Sequence, residues 1–443
     1  MTLPRPPGPR LGFPGVHYSL YADPIGFLTR AARRFGDLTC FNALGQTFYL
    51  VNHPDWIRQV FITEQANLGR RFIRIFGRRN WLELFLGEGL ITSNGDRHRS
   101  QRARAQPAFH HDGICAWGKI MVESAIALCR RWQDGQIIDL DVEMSRLGAM
   151  ITGRALFGAL TEDEAEQIAG ASRTIHDLSG RLSMPFAEWL QGLPLRSARR
   201  FRQARSRVDA IVFRIIRERQ RTSAGADDLL AVLMRKGDQS DRELRDQLVN
   251  FSAGGETTSA ALTWTFYLLS QHEQVREKLH AELDEVLGGR LPAPEDLGGL
   301  QYTRKAFAEA LRLYPPIWIE GRRVARSFSV GDYRLPADAV VVVSQYLVHR
   351  DARFYPQPHR FEPERWGPEE MATRSRFVYL PFGVGSRQCI GEDFAWTEGV
   401  MVTAAISQQW RMRPVVDRPI ELQLGATLRP KKGLPMIVER RRS

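Results

Sequence analysis

Cys389 lies in the run Phe382-Gly383-Val384-Gly385-Ser386-Arg387-Gln388-Cys389-Ile390-Gly391, whose residue types suit a thiolate metal ligand. A lone cysteine is commonly an inert small hydrophobe, but this one is framed differently. Gly385 and Gly391 free the backbone to bend and let a flat group approach closely. The stretch from Glu392 to Trp410 predicts a helix. Cys389 then sits just ahead of a helix N-terminus, where open N–H groups and the macrodipole stabilise a negative sulfur. Arg387, two residues earlier, adds a positive charge.

A second chemical run is Ala253-Gly254-Gly255-Glu256-Thr257-Thr258, which interrupts a stretch, Asp246–Gln271, that predicts a long buried helix. Two glycines in a helix interior cost about 1 kcal/mol each relative to alanine, and the threonines are mediocre helix formers as well. A chain that needed only a sturdy helix would not place these residues together. Glycine leaves room beside the backbone for a small ligand. A threonine hydroxyl can open the helix by bonding the i−4 carbonyl, and a carboxylic acid beside a hydroxyl can pass protons through water.

Charged residues follow a pattern of their own. Glu309 and Arg312 in TRKAFAEALRLYPP share one helix face, and Pro315-Pro316 ends that helix. About fifty residues on comes Phe361-x-Pro363-Glu364-Arg365-Trp366. In Gly89–Arg102, Asn94 is the expected N-cap, and His98 and Arg102, four apart, share a face. Arg322 and Arg323 are adjacent in EGRRVARS.

The Cys389 run matches F-x-x-G-x-R-x-C-x-G, and the order of these motifs resembles the cytochrome P-450 superfamily, soluble bacterial type, over nearly the whole chain. The resemblance implies a mainly α fold with a smaller β part (α+β). One large triangular domain would hold haem b (iron protoporphyrin IX) between the long central helix and the Cys loop with its following helix. It implies Cys389 as the iron ligand, with Phe382, Gly385, Arg387 and Gly391 as parts of the haem-binding signature. Glu256 and Thr257 become the acid–alcohol pair that delivers protons for O2 activation. His98, Arg102 and Arg387 become propionate partners, joined by one of Arg322 and Arg323; counting back from the turn Gly331-Asp332-Tyr333 favours Arg322. Glu309, Arg312 and Arg365 become a buried structural network beneath the haem. The implied reaction is insertion of one oxygen atom of O2 into a C–H or C=C bond. Electrons from NAD(P)H would arrive through a separate ferredoxin or flavodoxin and its reductase, since no flavin or iron–sulfur motif is present.

The elements that must position these groups are legible in outline. Leu38–Asn42 and Thr47–Val51 predict a β-hairpin, Glu273–Leu287 a helix ending at Gly288-Gly289, and Val340–Val343 a strand. Ser223–Ala226 reads as a loop. Residues 1–16, rich in proline and glycine, read as an irregular arm, and 17–443 as one domain. Among 443 residues, 43% are hydrophobic and 25% charged, as in a globular protein. Four cysteines make no disulfide framework, which fits a reducing cytoplasm. No apolar run reaches the ~18 residues of a membrane span, so no transmembrane anchor is expected. The net charge of +12 comes from arginines spread along the chain; this argues against nucleic-acid binding and for a basic face that steers an acidic redox partner.

The substrate is expected to be a large apolar small molecule: a fatty acid, terpenoid or polyketide. Its pocket is expected from Arg70–Leu90, Leu178–Leu193, Phe251–Ala253, Ile317–Glu320 and Gly425–Leu428. Arg70, Arg71 or Arg74 as a carboxylate partner tilts the choice towards a fatty acid. Two other readings stay open: a haem–thiolate peroxygenase or isomerase that needs no external electrons, and a non-enzymatic haem sensor.

Overall fold

The structure, a computed structural model, describes residues 4–9, 15–43, 45–69, 81–109, 111–158, 160–182, 192–222, 228–235, 237–416 and 419–441. The expected loop Ser223–Ala226, the arginines Arg70, Arg71 and Arg74, and most of two expected pocket segments (70–80 and 183–191) lie outside the described residues.

Helices of eight or more described residues are α1 (Gly15–Ala22), α2 (Pro24–Phe35), α3 (Gly95–Ala105), α4 (His111–Cys129), α5 (Leu140–Phe157) and α6 (Glu162–Leu182). They continue with α7 (Arg196–Thr222), α8 (Asp241–Gln271), α9 (Glu273–Leu287), α10 (Gln301–Leu313) and α11 (Glu392–Ser407). The strands are β1 (Leu38–Ala43), β2 (Gln46–Val51), β3 (Ile137–Asp139), β4 (Glu320–Arg323), β5 (Phe328–Val330), β6 (Tyr333–Leu335), β7 (Val340–Val343), β8 (Trp410–Pro414), β9 (Leu422–Leu424), β10 (Leu428–Pro430) and β11 (Pro435–Arg440). The mainly α fold with a smaller β part is as expected.

The long central helix begins five residues earlier than its apolar pattern suggested. Ser240 and Glu243 form a reciprocal capping box ahead of Asp241, a local signal outside the hydrophobic repeat. Nor is α8 interrupted: it stays helical through Ala253–Thr258, because packing on both flanks outweighs the weak propensities. Gly255 shows one reason for a glycine there. A Cβ on it would lie 2.6 Å from the Gly148 carbonyl oxygen, and one on Gly148 would lie 2.5 Å from that of Gly255. The two glycines let α5 and α8 cross backbone to backbone.

The hairpin β1–β2 forms as expected, one residue longer at the turn end of each strand, and joins a sheet of order β1-β2-β7-β4 in which β2 and β7 run parallel. All four valines of β7 are buried, as a central strand covered on both faces requires. Two corrections concern the ends. The helix after Cys389 stops at Ser407, and Trp410 opens β8 instead. The N-terminal arm gives way to helix already at Gly15, and it is pinned: the Cys40 N–H donates to the Pro7 carbonyl at 2.9 Å. Among the described residues no helix is long and apolar enough to cross a membrane.

Candidate active site

The Cys loop is closed by its own backbone. The Cys389 N–H donates to the Phe382 carbonyl at 2.9 Å and that of Gln388 to Gly385 at 3.0 Å. Gly383 and Gly385 adopt φ of +72° and +77°, where an L side chain is strained. A Cβ on Gly385 would also fall 2.3 Å from the Phe61 carbonyl oxygen. The glycine there seats the loop on the neighbouring helical turn, in addition to any closeness it gives a ligand. Gly391 has φ −95° and is the N-cap position of α11. Cys389 itself is exposed, three residues ahead of the first residue of that 16-residue helix.

Helix α3 brings charge to this loop. Arg102 donates Nη1 to the Gln388 carbonyl at 2.7 Å. Burial lowers the pKa of its guanidinium, against an opposing pull from the nearby Cys389 sulfur. Arg387 donates Nη2 to Asn94 Oδ1 at 3.3 Å. Asn94 thus occupies the N-cap position without capping: its side chain joins Arg387 and, through Nδ2, the Thr92 carbonyl. His98 is buried on the same helix. Strand alternation turns the adjacent arginines to opposite sides. Arg322 is buried and paired with Glu320 at 2.5 Å, whereas Arg323 points outward to Asp338. Glu320 in turn lies 3.0 Å from where a Gly383 Cβ would be, so Arg322 borders the Cys loop.

Helix α8 supplies the opposite wall. Phe109 links the two, with its ring stacked on Phe251 (centroids 5.7 Å apart) and 3.6 Å from a Cβ position on Gly391. Phe251 is buried in this contact, and Phe85 is buried edge-on against Phe201. Beyond Phe251 the helix face opens. Gly254 is exposed, with nothing within 4 Å of a Cβ position, and Thr257 keeps partial exposure. Both threonine hydroxyls donate to the Gly254 carbonyl, Thr257 at 2.9 Å and Thr258 at 3.2 Å. The bond from Thr257 reaches i−3, one residue short of the i−4 partner that would loosen the turn.

Glu256 is held from behind. Arg429, on β10 and 2% exposed, donates Nε to Glu256 Oε1 at 2.8 Å and Nη2 to its carbonyl oxygen at 3.0 Å. The same guanidinium donates Nη1 to Asp141 Oδ1 at 2.5 Å and to Ser145 Oγ at 3.0 Å, and Nη2 to Ser259 Oγ at 2.8 Å.

Below the loop lies the Glu309–Arg312–Arg365 charge network that the family resemblance implied. Arg312 binds Glu309 twice, at 2.8 and 2.7 Å, with both side chains fully buried. It also donates to the carbonyls of His349, Pro358 and Arg360. Arg365 approaches Glu309 at 3.4 Å, and Trp366 donates its indole N–H to Glu309 at 3.0 Å. His349 carries the network to the Cys loop, since its Nε2 accepts from the Leu380 N–H at 2.7 Å. Burial pushes the His349 pKa down to about 3, which keeps that nitrogen an acceptor. Sequence reasoning missed Arg429, Asp141, Glu320 and His349; each is an isolated residue whose partner is remote in the chain or unremarkable in type.

Comparison with known proteins agrees with this fold. The family model described as Cytochrome P450 matches residues 5–437. Cyclooctatin synthase of Streptomyces melanosporofaciens is 36% identical, covering 93% of this chain and 91% of that protein. Cyclooctat-9-en-7-ol 5-monooxygenase of the same organism is 35% identical, covering 90% and 88%. Pentalenene oxygenase of Streptomyces avermitilis is 31% identical, covering 92% of each. The solved structure of retinoic acid-bound cyanobacterial CYP120A1 superposes with a TM-score of 0.87 over 100% of both chains at 24% identity, a likeness of fold. With a family model spanning nearly the whole sequence and relatives above 30% identity along nine-tenths of it, this chain belongs to the cytochrome P450 family.

Proposed function

We propose that this cytochrome P450 monooxygenase oxidises a terpenoid-type hydrocarbon skeleton, inserting one oxygen atom of O2 into a C–H bond. The observation that carries the substrate class is the likeness, at 31–36% identity over about nine-tenths of the chain, to relatives named for cyclooctatin, cyclooctat-9-en-7-ol and pentalenene. A human ultra-long-chain fatty acid omega-hydroxylase stands further off, at 28%. The fatty acid favoured from the sequence therefore gives way to a terpenoid.

The side chains present fit a haem. An exposed thiol ahead of a helix N-terminus suits iron, and Arg102, Arg387, His98 and buried Arg322 suit two propionates. The open face at Gly254 gives a small ligand access to α8. When bound, the haem supplies the chemistry of O2 activation. Cys389 would hold the iron, its thiolate charge supported by the α11 dipole and by Arg102. Thr257 presents a hydroxyl that passes a proton into the cleft, and Glu256 is the acid behind it. Electrons reach the site from NAD(P)H through a separate acidic ferredoxin or flavodoxin, steered by the net positive charge of the chain. This fits a cytoplasmic protein.

The test is reconstitution with a ferredoxin, its reductase and NADPH under 18O2, with terpene hydrocarbons and fatty acids offered in parallel. One 18O atom in a terpene product supports the reading; oxidation of fatty acids alone overturns the substrate class. Cys389→Ala should lose the red-shifted ferrous–CO band, and its retention removes Cys389 as ligand.

A further inference from the structure

Arg429 carries two carboxylates in a buried site, and one guanidinium cannot neutralise both. With Asp141 and Glu256 ionised, the cluster holds a net charge of −1, although Arg429, Asp141 and Glu256 are only 2%, 10% and 17% exposed. A buried uncompensated charge is among the costliest features a fold can hold. The neighbours do not supply the missing positive charge. His176 on α6, near Thr427 at 3.5 Å, is kept neutral by burial and by Arg429, its pKa pushed down to about 4. Asp139 adds a further negative charge at the N-terminus of α5, where it accepts from the N–H groups of Asp141, Val142 and Leu434. Ser145, Ser259 and Thr427 are neutral. Burial, with Arg429 opposing it, also raises the pKa of Asp141.

We infer that Asp141 and Glu256 share one proton across Arg429, which makes Asp141 a positioning residue for proton delivery. This rests on the reading of Glu256 as the acid of the relay. At rest the proton sits on Asp141, and Arg429 pairs with the Glu256 carboxylate. When that proton moves from Asp141 to Glu256, the guanidinium pairs with the Asp141 carboxylate instead. After Glu256 has passed the proton on, the cluster takes one proton up from solvent to return to its resting form. The net charge of the cluster is zero with the proton on either acid. Glu256 can thus be recharged repeatedly within a buried site, and its protonated form is free to turn from Arg429 towards Thr257.

Infrared difference spectra of the holoenzyme at pH 7 in D2O test this, with the protonated-carboxyl band as readout. Asp141→Asn removes the protonated acid, so one band is lost. Glu256→Gln leaves Asp141 in place but makes it the sole counter-charge of Arg429, so the same band is lost although that carboxyl remains. Acids that titrate independently keep the band in Glu256→Gln, and that result overturns the proposal. Should Asp141→Asn fail to fold, Glu256→Gln decides alone. In turnover, Asp141→Asn is expected to lower kcat by roughly tenfold or more, with a larger solvent deuterium isotope effect and unchanged KM. An unaltered isotope effect also overturns it. A wild-type ferrous–CO band in both variants separates this outcome from failure of the monooxygenase site itself.

Discussion

Arg102 donates Nη1 to the carbonyl oxygen of Gln388 at 2.7 Å, which ties α3 to the residue directly before Cys389. A hydrogen bond from a charged donor contributes about 1.5–3 kcal/mol. Arg102→Ala should therefore weaken haem binding by roughly 10–100-fold. Titration of apoprotein with haemin measures it, and unchanged affinity removes Arg102 from the cofactor site.

Arg322 and Arg323 give a paired test. Arg322→Ala removes the buried charge paired with Glu320, at a cost of up to about 3–5 kcal/mol, and should reduce haem retention. Arg323→Ala breaks an exposed pair worth less than about 1 kcal/mol. Thermal unfolding and haem content of both variants check the order; the reverse order assigns the inward role to Arg323.

Glu309 serves Arg312, Arg365, Trp366 and the Glu362 N–H together. Glu309→Ala and Arg312→Ala should each fail to yield holoprotein rather than merely slow turnover. A variant that loads haem normally and only turns over slowly contradicts a structural role.

Glu398 on α11 is fully buried, and neither carboxyl oxygen has a hydrogen-bond partner. Thr258 comes near, but its hydroxyl is committed to Gly254. Burial raises the Glu398 pKa from 4.5 to about 8. The folded state holds this proton more tightly than the unfolded one. Its contribution is therefore whole below about pH 4.5, declines by at most about 1.4 kcal/mol per pH unit, and levels off above about pH 8. Glu398→Gln should gain thermal stability over the wild type between pH 5 and pH 8. A difference in melting temperature that does not change with pH contradicts a protonated Glu398.

Thr257→Ala removes the hydroxyl on the open face of α8 but not the helix, which Ser240 caps and packing holds. Substrate affinity should stay within about twofold of wild type, since the lost hydrogen bond is local. Product formed per NADPH should fall as reducing equivalents pass to hydrogen peroxide. Full coupling takes Thr257 out of the relay.

What the sequence made legible was what lies close together along it. The Cys389 run, Glu309 with Arg312, and Glu273–Leu287 each carry their meaning within a few residues, and each is found where expected. The hidden parts are long-range. Arg429 meets Glu256 across 173 residues and Asp141 across 288, and nothing in the spacing of either announces the other. The weak propensities of Gly254, Gly255 and the threonines suggested an interrupted helix. Only the approach of Gly148 shows that Gly255 serves packing while Gly254 serves the open face. Asn94 was legible as a cap by type and position, yet Arg387, almost three hundred residues away, claims its side chain.

The parallel pairing of β2 with β7 sets a timetable for biosynthesis. The hairpin is complete once residue 51 has been made, but Val340–Val343, which cover its open edge, come about 290 residues later. At ribosomal rates of about 5–20 residues per second, that edge waits roughly 15–60 s for its partner. Through that interval Phe48, Tyr49 and Leu50 present unpaired backbone to any passing strand. The newborn chain is thus open to misassembly at its first sheet long before Cys389 leaves the ribosome.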